Sequence, residues 1–374
     1  MVAGDTRSHL GKEISVGRNA TRSQSRLLVL SILVVVMLSA LGSTASANRT
    51  TPASAASAAA TGKPASKAAW KKIVAQAKKE GSVTFYTTQN PALIADAAAK
   101  FKSLYGINVT VNRNIDSVLA TQVTAEEGSN KPIADIWVSA SKPLVLGALK
   151  NGWVVDGVGP DLYSKAYDRK LFAKPGKAFI IGEAILGMAW NTSQFQGKLN
   201  DLPDVLKAPS GRIGVIIPSA PSIVDWYLWV QETYGKNFLT KLAALKPKKY
   251  SSSLPMGSAV ESGELAVGTF VPPTVLDDKS KGAPVDFKLP KGTKTWNAPY
   301  TAMILKQAPH PAAAQLFANY LVTQEGQALS QRAAGTVRQD VKNAFFVTPR
   351  QQNLKALAPS AVTAFQQSWN DLFK

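Results

Sequence analysis

The chain has 374 residues, with 43 Lys and Arg against 24 Asp and Glu, and no cysteine. The missing thiols exclude disulfides, cysteine–metal sites, thiol catalysis and a lipid-modified cysteine at the point of export. A net charge of +19 favours anionic ligands or an anionic envelope, but the basic residues are scattered, with no zinc-finger spacing or RNA-binding aromatic motif, which argues against nucleic acid.

Residues 1–47 read as a secretory signal. Arg7, Lys12, Arg18, Arg22 and Arg26 make a basic start, residues 27–41 are apolar apart from Ser31 and Ser39, and Ala45, Ser46 and Ala47 form a small-x-small cleavage site. The apolar run is short for a membrane span, which needs about 20 residues; the alternative is an uncleaved N-terminal anchor. This segment carries +3 of the net charge and leaves +16 on the rest. Residues 48–67 are rich in Ala, Ser, Thr and Pro and lack large apolar side chains, which predicts a flexible tether. Residues 68–374 are long enough to favour two lobes over one core.

After the tether, strands and helices alternate. Trp70, Ile73, Val74 and Ala77 line one face of an opening helix closed by Gly81. Residues 82–86 form a strand that runs into the polar loop Thr87, Thr88, Gln89 and Asn90. Asn90 then caps a helix with Pro91 in its first turn and Gly106 at its end. Ile107, Val109 and Val111 alternate with polar residues as a second strand. A helix over 116–127 is expected to stop at Gly128. Residues 134–138 form a third strand leading to Ser139, Ala140 and Ser141, and a helix over 142–150 follows. Such alternation implies right-handed crossovers and parallel strands.

The apolar run 179–191 lacks helical periodicity and predicts strands crossing from one lobe to the other. The pattern then repeats. A strand over 213–217 leads to the loop from Pro218 to Ser222 and a helix to Tyr234, and a helix near 238–245 leads to Ser251, Ser252 and Ser253. A helix around 256–262 precedes a strand over 265–270. Residues 300–305 return as a strand. Helices from Pro311 and over about 361–373 are expected to pack back on the first lobe.

Four stretches in this order resemble the solute-binding proteins of ABC importers, in the branch that contains the ferric-iron-binding proteins: residues 79–88, residues 134–139, residues 259–264, and residues 310–327 followed by 337–341. The resemblance spans about 68–341. It implies an α/β fold of the periplasmic-binding-protein type II class, with two mostly parallel sheets flanked by helices and a ligand cleft between the lobes. The lobes are expected at 68–184 and 185–291, with 292–374 returning to the first. It also implies a monomer that binds a small-molecule solute, delivers it to a membrane permease, needs no cofactor and is not an enzyme. Periplasmic or envelope-associated location follows from the signal.

Ferric-binding relatives place a His where this chain has Asn90, a Glu at Ala140 and a Tyr pair at Pro273 and Thr274. Amide, methyl and hydroxyl groups do not replace hard anionic oxygens around ferric iron, so no metal is expected. Hydroxyl-rich loops remain. In open α/β sheets ligands bind beyond the carboxyl ends of the strands, at helix N-termini. The expected ligand-binding residues are Thr87, Thr88, Gln89 and Asn90 in the first loop, Ser139 and Ser141 in the second, Ser219 and Ser222 at a second-lobe helix start, Trp226 as an organic wall, and Thr274. Helix capping is the competing role for the Ser, Thr and Asn residues. Asp225 and Glu183 are candidates for a ligand amine.

A small organic anion, a phosphonate, phosphate ester or carboxylate, is the expected solute. Ferric iron or its chelate, or a cation such as a polyamine or thiamine, are the alternatives. Two other classes stay open: a basic secreted adhesin, and a hydrolase whose triad would need His310, which otherwise reads as a cap or surface residue.

Overall fold

A computed structural model describes residues 62–173, 177–291, 296–342 and 345–374. The signal segment and most of the tether lie outside the described residues. Helix α1 (Lys67–Glu80) is capped by Ser66, whose hydroxyl accepts the Ala69 N–H at 3.2 Å, and closed by Gly81 at φ 70°. Strand β1 (Ser82–Thr87) leads to α2 (Pro91–Tyr105), capped by Asn90. Then come β2 (Asn108–Arg113), α3 (Asp116–Ser129), β3 (Ile136–Ser139), α4 (Lys142–Lys150), β4 (Val154–Val155) and α5 (Arg169–Phe172). Helix α3 runs through Gly128 and ends at Asn130, whose φ of 53° makes it the left-handed cap. Asn tolerates that conformation because its short polar side chain bonds locally, so Gly128 is not needed as the stop.

The apolar run divides into β5 (Phe179–Ile185) and β6 (Gly187–Asn191). The second half holds β7 (Ile213–Ile216), α6 (Pro221–Tyr234), α7 (Asn237–Ala244), β8 (Lys248–Tyr250), α8 (Ser253–Glu261), β9 (Val267–Val271), α9 (Val275–Ser280) and β10 (Val285–Lys288). The chain finishes with β11 (Asn297–Leu305), α10 (Pro311–Leu321), α11 (Gln324–Ser330), β12 (Gly335–Thr336), β13 (Phe345–Phe346) and α12 (Pro359–Leu372).

The first sheet runs β13-β12-β5-β11-β3-β1-β2, with β4 also on β11, and the second runs β10-β6-β9-β7-β8. Both are mixed. The units β2-β1-β3 and β8-β7-β9 are parallel, whereas β5, β6 and β11, which carry the chain between the sheets, pair antiparallel with their neighbours. A crossing strand enters its sheet against the local direction, and alternation alone does not show this.

Each sheet has its own aromatic core. In the first, Phe317 of α10 meets Phe85 edge-on at 5.3 Å and Phe101 at 4.9 Å. In the second, Trp226 contacts Trp229, Phe270 and Trp296 within 5.5 Å. The last helix departs from expectation. Although α10 and α11 pack on the first lobe against α1 and α2, α12 lies on α6 of the second. There Phe365 and Trp369 pack on Tyr227, and the Gln366 amide donates to the Pro218 carbonyl at 2.7 Å. Amphipathic spacing gives a helix a buried face but does not say which neighbour covers it.

The segment before α12 therefore makes a third link between the lobes. On the first-lobe side, Gln352 accepts the Lys142 N–H at 2.9 Å and donates to the Ala140 carbonyl at 3.2 Å. On the second-lobe side, Arg350 donates to both carboxylate oxygens of Asp225 at 2.8 and 2.7 Å.

Candidate functional site

The carboxyl ends of β1, β2, β3 and β7 open on one cavity of about 110 Å³ between the two sheets. The lobes touch around it. Asn90 donates to the Thr274 hydroxyl at 3.3 Å, Arg113 to the Ser252 hydroxyl at 3.3 Å, and Ser222 to an Asp116 oxygen at 3.2 Å. At the rim, Arg332 reaches both Asp96 of α2 and Asp277 of α9.

The first-lobe wall is polar. Thr88, Asn90, Arg113, Asn114 and Asp116 line it. Two of these present atoms that are buried and have no hydrogen-bond partner among the described residues: the Thr88 hydroxyl and Arg113 Nε. Native structures rarely leave buried polar groups unpaired, so each such atom needs a reason. Arg113, the last residue of β2, forms no ion pair among the described residues. Burial pulls its affinity for the proton below the ordinary range, and the neighbouring Tyr300 opposes this. A half-buried guanidinium without a carboxylate is electrostatically unfinished.

Two helix N-termini of the second lobe face this wall, and they differ. The start of α6 is already answered: Asp116 sits there, held by Ser222, by the Ser139 hydroxyl and by the Ala140 N–H at 3.3 Å. Burial pushes the Asp116 carboxyl up to about 6, against the pull of those three donors. The start of α8 is open. Ser252 stands at its N-cap with no side-chain bond to the first turn, and Ser251, Ser252, Ser253 and Leu254 all line the cavity. First-turn N–H groups of a helix have no intrahelical acceptor and attract anions.

The expected site residues separate accordingly. Thr88, Asn90 and Ser222 line the main cavity. Thr274 and Gln89 line a smaller adjoining pocket with Asn90, and the Gln89 amide nitrogen is buried without a partner. Thr87 is fully buried and holds the turn: it accepts the Gln89 N–H and donates to the Gln89 side chain, both at 3.1 Å. Ser139 and Ser141 are fully buried; Ser139 accepts the Ser141 N–H at 3.1 Å and does not line the cavity. Ser219 also lies outside the lining, its hydroxyl buried and unpartnered. Trp226 belongs to the right cluster but stands behind the surface; the ring that reaches the cavity is Trp296, packed edge-on against it at 5.5 Å. By sequence Trp296 is, with Trp137 and Trp190, a candidate cleft wall beside Trp226; Arg113, Asn114, Asp116, Ser251, Ser252, Ser253 and Tyr300 are polar lining residues that strand-and-loop reasoning did not place in the site.

Asp225 and Glu183 do not face the cavity. Asp225 is spoken for by Arg350 and by the Trp296 indole N–H at 3.0 Å. Glu183 is fully buried in β5 with neither carboxyl oxygen hydrogen-bonded, and desolvation raises its proton affinity well above the usual carboxylate range. That burial favours the protonated form in the fold, whereas the unfolded chain holds it ionised near neutral pH, so the folded state favours the extra proton. Stability attributable to Glu183 is full below the ordinary carboxylate range and falls as pH rises toward its raised value. Glu183→Gln should remove this slope. Its unfolding free energy should gain on that of the wild type as pH rises from 5, by up to about 1.4 kcal/mol per pH unit; parallel stability–pH curves would refute a neutral Glu183.

His310 occupies the N-cap position of α10 without capping it; Glu80 accepts the Ala313 N–H there at 2.7 Å. The ring instead bridges Asp135 at 2.9 Å and Ser82 at 3.0 Å. These are Ser-His-Asp distances, but Ser82 starts β1, at the end of the sheet opposite the cleft. Asp135 also takes the N–H groups of Thr84 and His310, which pins the start of α10 to the sheet. Of the positions aligned with ferric ligands, Asn90 and Thr274 bond to each other and Ala140 turns a methyl to the cavity. Among the described residues no three His, Cys, Asp or Glu side chains converge as a metal-binding group.

Two α/β lobes closing on a shared cavity define the fold of the periplasmic binding proteins. The chain is similar to iron-bound HitA from Pseudomonas aeruginosa (22% identity, covering 78% of this chain and 99% of that one, TM-score 0.60). It is similar to AfuA from Actinobacillus pleuropneumoniae with exogenous fructose-6-phosphate bound (19%, 78% and 98%, TM-score 0.64). It is also similar to the substrate binding protein of an ABC transporter from Agrobacterium tumefaciens (15%, 78% and 94%, TM-score 0.67). Such identities establish the fold. No curated protein matches the chain. Residues 83–333 match the family described as bacterial extracellular solute-binding protein, and the chain belongs to that family.

Proposed function

We propose that the protein captures a small organic anion in the interlobe cavity and hands it to the membrane permease of an ABC importer. The observation that carries this reading is Arg113: a half-buried guanidinium without an ion pair among the described residues, facing the uncapped start of α8 across the cleft. An anion placed there would meet charge-assisted donors from both lobes at once. Binding would then favour the closed arrangement by its contacts to both halves. The Thr88 hydroxyl supplies a further unsatisfied donor. Asn90 and Ser222 act differently under this reading, as contacts that hold the lobes together. Ferric iron is disfavoured by the donor set: among the described lining residues Asp116 is the one carboxylate and is already held by Ser222 and the Ala140 N–H, burial raises the proton affinity of the Tyr300 phenol, and the amide, hydroxyl and guanidinium groups add no anionic oxygen. Export through residues 1–47 and function as a monomer without catalysis complete the proposal.

Thermal melts of the purified, ligand-stripped protein test it. Carboxylates, phosphonates, sugar phosphates, polyamines, thiamine and ferric citrate form the panel. A ligand at 100 times its dissociation constant adds about 2.7 kcal/mol of stability. A melting shift with at least one organic anion is the expected result; a shift confined to polyamines, thiamine or iron would overturn it.

A further inference from the structure

The cavity has a mixed lining. Beside Arg113, Thr88 and the serines at the start of α8, Leu186, Ile216, Ile223, Leu254, Phe270 and Trp296 form its apolar part. Two of the lining serine hydroxyls are already engaged: Ser222 donates to Asp116, and Ser252 accepts from Arg113. The Trp296 indole N–H, its only polar handle, donates to Asp225, so the ring offers the cavity carbon atoms only. A polyhydroxylated body placed against the apolar part would bury hydroxyls there without partners.

We infer that the solute is a small amphiphilic anion: a carboxylate or phosphonate head at Arg113, Thr88 and the start of α8, and a flat or branched apolar body against Trp296, Phe270 and Leu254. The inference rests on the anion reading and deepens it. It separates this cleft from one built for bare oxyanions, which need no apolar wall, and from one built for sugar phosphates, which need hydrogen-bonding partners along the body.

Calorimetric titration of the wild-type protein with phenylphosphonate, methylphosphonate, inorganic phosphate, fructose-6-phosphate, benzoate, acetate and spermidine tests it. The expected ranking places each aryl anion at least tenfold tighter than its methyl counterpart. Leu254→Asn, a half-buried position at the rim of α8, should reduce the phenyl-over-methyl preference at least threefold. Should that variant fail to fold, the wild-type ranking decides alone. Equal or tighter binding of methylphosphonate, phosphate or fructose-6-phosphate would overturn the apolar body while leaving the anion reading intact. Binding of spermidine alone, or of nothing in the panel, would overturn both.

Discussion

Arg113→Gln is expected to abolish solute binding without weakening the fold. Truncating one partner of a buried charged contact costs about 2–5 kcal/mol, which is roughly 30-fold to more than a thousand-fold in affinity. Glutamine keeps a donor near the end of β2 but removes the charge and the forked geometry that matches a carboxylate or phosphonate. The unliganded protein should respond in the opposite sense. Arg113 Nε is buried without a partner and the guanidinium has no ion pair among the described residues, so its removal relieves a desolvation cost. The variant should melt at or above the wild-type temperature and lose the ligand-induced shift. That split separates a binding group from a structural one. A variant that loses stability while retaining affinity would assign Arg113 to the scaffold.

The second large effect is expected at Arg350. Its guanidinium holds Asp225, which is 1% exposed and also accepts the Trp296 indole N–H. Burial pushes the Asp225 carboxyl upward, and Arg350 is the main opposing influence. Arg350→Met leaves that carboxylate without a charged partner, and breaking a buried pair from one side costs about 3–5 kcal/mol. The same change loosens the third link between the lobes, because the Arg350 side chain is the hold on Asp225 of the second lobe from a segment that Gln352 ties to the first. Urea titration should show a lower midpoint with an unchanged slope. Adding Asp225→Asn should recover much of the loss, since the orphaned charge disappears with it. A loss below about 1 kcal/mol in the single variant would place the pair among screened surface contacts.

Much of the fold was legible from local signals. Pro91 and Gly106 punctuate α2, and the alternation of Val109 and Val111 with polar neighbours marks β2. The apolar run 179–191 announces a crossing because it has neither helical period nor polar face. What eluded these signals depends on contacts between distant parts of the chain. Arg113 closes an ordinary strand with one wet face; only the approach of Ser252 from the other lobe turns it into part of a site. Ser251, Ser252 and Ser253 read as one more polar loop until α8 is placed against β2.

The anion-binding expectation fell on the start of α6, where Ser219 and Ser222 are conspicuous. Sequence could not show that Asp116, more than a hundred residues earlier, already occupies that helix end. Trp226 and Trp296 are interchangeable in composition, and their order from core to surface is set by the return crossing before β11. The final helix misled for the same reason: its stripe of Val362, Phe365 and Trp369 fits a core without saying whose.

The central claim is that an anion bridges Arg113 and the first turn of α8, and the crystal structure of the complex with the tightest-binding anion tests it most directly. The account predicts anion oxygens within hydrogen-bond distance of the Arg113 guanidinium and of the α8 first-turn N–H groups, with Ser222 still donating to Asp116. An anion seated instead at the start of α6 with Asp116 displaced, or bound outside the cleft, would contradict it.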